Sequence, residues 1–359
     1  MNDVYDWLTK NAGPVINYRT HKELKEEDAS DFEGSLVSSK MVLKQLELLK
    51  LTKSPNSLHN SKPEAFENCM GRLYEFGMRK GIESFNVHIQ PYLDWFEDLS
   101  LSKGNPAPFS WFYLSLIAGY LTMTGYSTHK EVDYVIRKRL DDVTAFTKIN
   151  LNEIYIDPEK VGAIPKNFQG RPILNPELVY EHSILPNIHD FHCFLNSPGL
   201  MNEKTSREKV ENVVSFILSS EYQNLEPGYG VLYEPKNRKF YSAGWSLHLF
   251  NYFHKHPHHD KMLKSICFDR SNLLRLSLFS RSEKGRNHPW FKNNIHQLDS
   301  FKNENGLYKF SRDMIPQKNS GYWVSGKSLG LEEDRSTTKA IQIESTFRYY
   351  EITKQKNYV

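Results

Sequence analysis

Apolar residues recur three and four positions apart along most of the chain, the period of a helix with one buried face. Val42, Leu46 and Leu49 share a face over Ser39 to Leu49, and Phe66, Met70 and Leu73 share one over Ala65 to Arg79. Tyr92, Trp95 and Phe96 continue the pattern in Val87 to Leu99. Val132, Val135, Ile136 and Leu140 carry it in His129 to Phe146, and Val210, Val213, Val214 and Ile217 in Ser206 to Ser220. Phe109 to Met123 is apolar nearly all round, which predicts a helix buried among other helices. Shorter helices are predicted over Asp3 to Lys10, His182 to Leu195 after Pro186, Gly244 to Phe253, Leu273 to Phe279 and His288 to Phe301. Val15 to Thr20 reads as a short, partly extended entry.

Two passages break the pattern. Asn150 to Leu185 holds Pro158, Pro165, Pro172 and Pro176 and few periodic runs, so it reads as a long irregular connection over the surface. Leu225 to Ala243 reads as a loop rich in Gly and aromatic residues. With no convincing alternation of strand type, the chain is predicted to be all-α. We expect a single domain over 1–359, with the Pro-rich connection near 150–186 between two helical halves.

The last stretch is the most organised. Asn305-Gly306-Leu307-Tyr308 leads to the Gly-bracketed Gly321-Tyr322-Trp323-Val324-Ser325-Gly326, and then to a closing helix. Glu332, Glu333 and Asp334 place negative charge at the start of that helix, and Ser336, Thr337 and Thr338 are each able to cap it. Ala340, Ile343, Phe347 and Tyr350 mark its buried face. Glu344 and Arg348 lie one turn apart beside that face. They either form a helix-supporting ion pair, worth roughly 0.2–0.5 kcal/mol, or place Glu344 in a pocket with Arg348 orienting it. The Tyr322–Trp323 loop either plugs a core or lines a cleft.

Composition narrows the function classes. The chain has 359 residues and a formal charge of +3, with Lys and Arg scattered rather than striped, which argues against nucleic-acid binding. Cys69, Cys193 and Cys267 are far apart and form no paired framework, which points to a reducing compartment. The N-terminal residues lack the layout of a signal peptide, and Phe109 to Met123 is too short for a confident membrane span. A cytoplasmic location is expected. No Walker loop, G-x-S-x-G elbow, H-E-x-x-H pair or C-x-x-C pair occurs.

Two passages rhyme: Gly228-Tyr229-Gly230 with Tyr241 and Gly244-Trp245, and Gly306-Leu307-Tyr308 with Gly321-Tyr322-Trp323. With Asn305-Gly306-Leu307-Tyr308 and the helix after each, they give the chain a pattern that resembles the α/α toroids: terpenoid cyclases, protein prenyltransferase β subunits and squalene-cyclase-like repeat proteins. The resemblance implies paired helices around a central cavity. The families' signature groups do not carry over. There is no D-x-D-D, Asp94-Trp95-Phe96-Glu97-Asp98 lacks the second Asp of D-D-x-x-D, Asp141-Asp142 has no third carboxylate at that spacing, and no Asp/Cys/His zinc set maps.

Candidate chemistry follows from the residues. His189-Asp190-Phe191-His192-Cys193 crowds potential ligands and acid/base groups together, but sequence neighbours seldom converge on one metal. The run His254-Lys255-His256-Pro257-His258-His259-Asp260 reads as a solvated loop. We assign no metal, and the cofactor is unknown from sequence. Glu344, Asp190 and His189 are the catalytic candidates, because a carboxylate in an apolar cavity gains a raised pKa suited to acid catalysis. Tyr229, Tyr241, Trp245, His248, Tyr322, Trp323 and Arg348 are the binding candidates. The expected ligand is a small apolar or prenyl-like molecule. The alternatives are a glycan-active (α/α)-barrel enzyme and a helical scaffold for a protein partner.

Overall fold

The computed structural model describes residues 2–50, 55–101, 110–177, 185–223, 225, 229–234, 238–244 and 270–354. Wherever the chain is described, the helices predicted from apolar spacing form. They are α1 Asn2–Asn11, α2 Pro14–Arg19, α3 Ser30–Val37, α4 Lys40–Leu48, α5 Pro55–Leu58, α6 Phe66–Glu75, α7 Glu83–Leu101, α8 Ser110–Met123 and α9 Lys130–Phe146. Then come α10 Ile188–Asn196, α11 Pro198–Asn202, α12 Lys204–Leu218, α13 Ser220–Gln223, α14 Arg270–Phe279, α15 Glu283–Asn287, α16 Pro289–Asp299 and α17 Thr338–Thr353. The helix predicted over Gly244 to Phe253 and the histidine run at 254–260 lie outside the described residues.

Local chemistry sets several boundaries. Ser39 accepts from Val42 N–H at the start of α4, and Thr337, one of three candidate caps, accepts from Ala340 N–H at the start of α17. Asn187 and Asp190 form a reciprocal capping box at α10. α15 is capped from outside: the Glu211 carboxylate on α12 accepts from Ser282 Oγ and from the N–H groups of Glu283 and Lys284.

The expected extended entry after Gly13 is instead helical. Pro14 presets the first turn of α2, and π-type turns over Thr20–Lys25 continue it. The two supposed irregular passages also meet in a small sheet. Tyr155–Ile156 (β1) pairs antiparallel with Ile173–Leu174 (β2), which runs parallel to Tyr229–Glu234 (β3), and β3 pairs antiparallel with Lys239–Gly244 (β4). Neither passage shows period-two alternation long enough to read alone, because each supplies only half of the sheet. Val161, Ile173 and Val231 form its own small apolar cluster with Phe168, Tyr233 and Phe240.

The main apolar cluster draws on residues from Tyr5 to Ile352. α6 packs on α8, α8 on α10, α10 on α14 and α14 on α17, while α17 lies against α1 and the Thr20–Lys25 turns. α7, α9 and α12 form a second row: α7 packs on α8 and α9, and α9 on α8, α10 and α12. Tyr74, Thr122, Asn196 and Arg281 line one groove, so α6, α8, α10 and α14 end together. Gly119 permits the close approach of α8 to α10, since a Cβ there would stand 3.0 Å from the His189 carbonyl.

α17 is not the one-faced helix its spacing predicts. Glu344, Ser345, Thr346, Arg348 and Glu351 are buried along with Ile343 and Phe347. The Glu344–Arg348 pair expected from the sequence does not form. Glu344 accepts from Leu331 N–H at 2.7 Å and Glu332 N–H at 2.9 Å, and pairs with Arg335 at 2.7 Å. Arg348 pairs with Glu75 on α6, lies 3.6 Å from Glu351, and donates to the Leu329 carbonyl. Arg19 completes the network: it donates to Glu351 at 2.5 Å, to Glu23 at 2.7 Å and to the Glu75 carbonyl at 2.9 Å.

Replacing Arg348 removes the one cation in ion-pair contact with the buried Glu75 carboxylate among the described residues. We expect Arg348→Met to cost about 3–5 kcal/mol in urea unfolding at pH 7. Adding Glu75→Gln should recover much of that loss; an equal loss in the double variant rules out charge stranding as the cause.

Glu332 joins the two ends of the chain by accepting from Gly13 N–H at the head of α2 through both oxygens, at 2.9 and 3.1 Å. Burial raises its pKa to about 7, well above the ordinary range of a glutamate. The folded state therefore holds this proton where the unfolded state has lost it, and stability falls as pH rises through that window. Unfolding of wild type and Glu332→Gln at pH 5 and pH 7.5 checks this: the variant should gain relative to wild type at the higher pH.

Candidate functional site

At the starts of α6, α8 and α10 a polar group is set into an aromatic nest. Glu67, in the first turn of α6, is fully buried, and its carboxylate lies 2.8 Å from His59 Nδ1. Burial raises the Glu67 pKa; His59 and the Asn60 N–H only partly offset this. His59 follows α5, and its side chain keeps 34% of its surface exposed. Its ring stacks on Tyr322 at 4.8 Å between centroids and meets the edge of Phe112 at 5.0 Å. Phe112, Tyr113 and Tyr322 are each half-buried around it. Tyr113 has a pKa raised by burial first, with Glu67 and Tyr322 adding to the effect.

Behind this opening the nest closes. Tyr120 is fully buried, and burial, followed by the neighbouring Glu67, pushes its hydroxyl pKa well up. His189 and His192 are also buried, one turn apart on α10. Burial holds the His189 pKa well below its ordinary value and lowers that of His192 to about 3, so both rings are neutral. Tyr120 Oη, His189 Nδ1, His192 Nδ1 and Trp323 Nε1 have no hydrogen-bond partner among the described residues. Each unpaired buried polar atom costs roughly 1–3 kcal/mol. Such atoms concentrate where a protein keeps groups for use rather than for stability.

Trp323 is the inner wall. The glycines that bracket its loop adopt positive φ, +115° at Gly321 and +64° at Gly326. The Trp323 N–H donates to Asn68 Oδ1 at 2.8 Å. Its indole meets Tyr74, Tyr120 and His192 at 6.3, 5.8 and 5.6 Å between centroids. At 2% exposure it plugs the core rather than lining an open cleft. Gly71 makes room for it, because a Cβ there would stand 2.3 Å from the indole.

The candidates read from sequence divide. His189, Tyr322 and Trp323 meet in this nest. Asp190 does not join them as an available acid: both of its oxygens accept from Arg139, at 2.9 and 2.8 Å, and one also accepts from the Asn187 N–H. Glu344 is occupied by Arg335 and two backbone N–H groups, and Arg348 by Glu75. Tyr229 and Tyr241 lie on β3 and β4, while Trp245 and His248 lie outside the described residues. The sequence reading missed Glu67, His59, Phe112, Tyr113, Tyr120 and His192 as a group. Glu67 lies at the flank of the apolar face Phe66–Met70–Leu73, so the helical period alone does not place it against the core.

No protein-family model, curated protein or solved structure matches this chain. The geometry is therefore the sole guide to chemistry. Among the described residues no group of three His, Cys, Asp or Glu side chains has the arrangement to hold a metal ion. No described helix is long and apolar enough to cross a membrane.

The fit of Trp323 against Gly71 is testable. Trp323→Ala should cost about 3–5 kcal/mol, and Gly71→Ala about 1–3 kcal/mol by overpacking. Chemical denaturation of Gly71→Ala in a Trp323→Leu background should show most of the overpacking cost gone; an unchanged cost separates the two residues.

Proposed function

We propose that this is an α/α-toroid protein that takes a largely apolar or prenyl-like ligand at the His59–Tyr322–Phe112 opening, with Glu67 as its acid. The observation that carries the reading is a buried carboxylate of raised pKa touching one half-exposed imidazole inside an aromatic surround. The toroid reading draws support from the row α6–α8–α10–α14–α17, the co-terminal ends of its first four helices, the outer row α7–α9–α12, and the return of α17 onto the start of the chain.

In this reading the rings of Tyr322, Phe112 and Tyr113 hold the ligand by apolar contact. Protonated Glu67 gives its proton to His59 Nδ1 as the other ring nitrogen releases one to the ligand. Glu67 then carries the negative charge, which the first turn of α6 favours. The roles first given to Glu344 and Asp190 pass to Glu67, a fully buried carboxylate not spent on an arginine.

Thermal unfolding with farnesol, farnesyl diphosphate plus magnesium, and neutral and acidic oligosaccharides tests this proposal. A dose-dependent rise with farnesol is expected, weakened about tenfold in Tyr322→Ala, a loss of about 1.4 kcal/mol. Glu67→Gln should keep that rise and lose any turnover. A rise with oligosaccharides alone transfers the site to the glycan-active alternative. A flat response to every probe removes the ligand reading and favours a scaffold for a protein partner.

A further inference from the structure

Four tyrosines gather where α1, the turn after α16 and α17 meet. Tyr308 and Tyr349 are stacked, with 3.7 Å between ring centroids and 13° between planes. Tyr350 meets both edge to face, at 6.0 and 5.4 Å, and Tyr5 meets Tyr350 in the same way at 5.5 Å. We propose that Tyr308 and Tyr349 form an oxidative crosslinking site, at which a one-electron oxidant joins the two rings as a dityrosine. The site is independent of the Glu67 opening.

The stack brings matching atoms together. Both hydroxyls donate to the same oxygen, Asp299 Oδ1, from Tyr349 at 2.5 Å and from Tyr308 at 3.3 Å. The rings are nearly parallel and their hydroxyl ends converge on one point, so the carbons ortho to the hydroxyls lie against each other. Those carbons carry unpaired spin in a phenoxyl radical, and they are the ones a dityrosine joins. The edge-to-face contacts of Tyr350 lack this match. The backbone holds the stack in place as well. The Tyr308 N–H donates to Thr346 Oγ1 and the Phe310 N–H to Ser345 Oγ, each at 2.9 Å, which fastens the turn to α17 beside Tyr349. The two rings are therefore already positioned for reaction.

Asp299 supplies the base. A phenol that loses an electron becomes strongly acidic, so its oxidation near neutral pH runs with loss of the proton to an acceptor in hydrogen-bond reach. Tyr349 is half-buried and passes an electron to the oxidant and its phenolic proton to Asp299 Oδ1, which leaves a neutral phenoxyl radical. Asp299 is exposed and returns that proton to water. A second oxidation removes an electron and a proton from Tyr308 by the same route. The radicals pair to form one carbon–carbon bond, and the hydrogen on each joined carbon moves to the oxygen of its own ring, restoring two phenols. The sum is two electrons to the oxidant and two protons to water. The Tyr350 hydroxyl instead donates to the Gly306 carbonyl at 3.5 Å, a group that takes up no proton. An oxidation that begins at Tyr350 therefore settles on Tyr349.

The test oxidises the full chain in dilute solution with light, tris(bipyridyl)ruthenium(II) and persulfate, and maps the products by tryptic mass spectrometry. The chain's 20 tyrosines supply internal competition. The expected product is an intramolecular crosslink between the peptides carrying Tyr308 and Tyr349, lighter than their sum by two hydrogens, with dityrosine fluorescence. Tyr349→Phe retains a ring in the stack and should abolish that crosslink, whereas Tyr350→Phe should leave it. Asp299→Asn, which keeps an oxygen but is no base, should slow its formation severalfold. Other tyrosine pairs crosslinking in comparable yield, the same two peptides joined in Tyr349→Phe, or loss of the product in Tyr350→Phe overturns the proposal. An unchanged rate in Asp299→Asn overturns the role given to that carboxylate.

Discussion

Charge placed inside joins α17 to α6 and to the first helices. Arg19 from the first helices, Glu75 from α6, and Arg348 and Glu351 from α17 are all nearly inaccessible to solvent and joined in one network. Burying such groups is costly, so a network of this kind adds little net stability over well-packed apolar side chains. Its effect is on arrangement. A slide of α17 by one turn would leave a buried charge without its partner, a far larger penalty than a slide of an apolar face. The register of the closing helix, and through Glu344 the path of the loop carrying Trp323, follow from that constraint.

The same register organises both ends of the helix row. At the starting ends, Glu344 holds Leu331, Glu332 and Arg335, which fixes the segment after Trp323, while Asn68 fixes Trp323 itself. At the finishing ends, Arg19 and Glu23 shape the groove beside Arg79. One network therefore reaches both ends of the helix row, and Tyr74, which lines the groove, also meets the Trp323 indole.

Helix positions were legible because burial of apolar side chains imposes a 3.6-residue period, as in Val132, Val135, Ile136 and Leu140 of α9. The fold class follows to the level of a mainly helical chain. The sheet was not legible, since Ile173–Leu174 is too short to show alternation and finds its partner Val231–Leu232 far along the chain. The charged interior was hidden for a different reason. Glu344 and Arg348 have the spacing of a surface ion pair, and spacing along one helix says nothing of Arg335 or Glu75 waiting on other elements. The same blindness concealed Glu67, whose polar character resembles a solvated position until α8 and the Trp323 loop are packed against it. His189, Tyr322 and Trp323 were found because aromatic and imidazole groups near glycines or helix starts are unusual locally, before any tertiary contact is known.

Trp323 connects these points. Its loop needs two glycines at positive φ, its ring needs a glycine on α6, and its N–H is left without a partner beside Tyr120 and His192, which are unpaired as well. A residue chosen only to fill space would be served by Leu or Phe, with no polar atom to strand. An indole meets Tyr120 edge to face and His192 at a tilt, and brings a donor among groups that can accept. That combination makes sense where the inner wall of the nest must exclude water yet keep polar atoms unpaired. The carboxylate at its mouth then sits in a low-dielectric surround that raises its pKa, with the half-exposed His59 as its contact to solvent, so packing of the plug and acidity of Glu67 are two expressions of one arrangement.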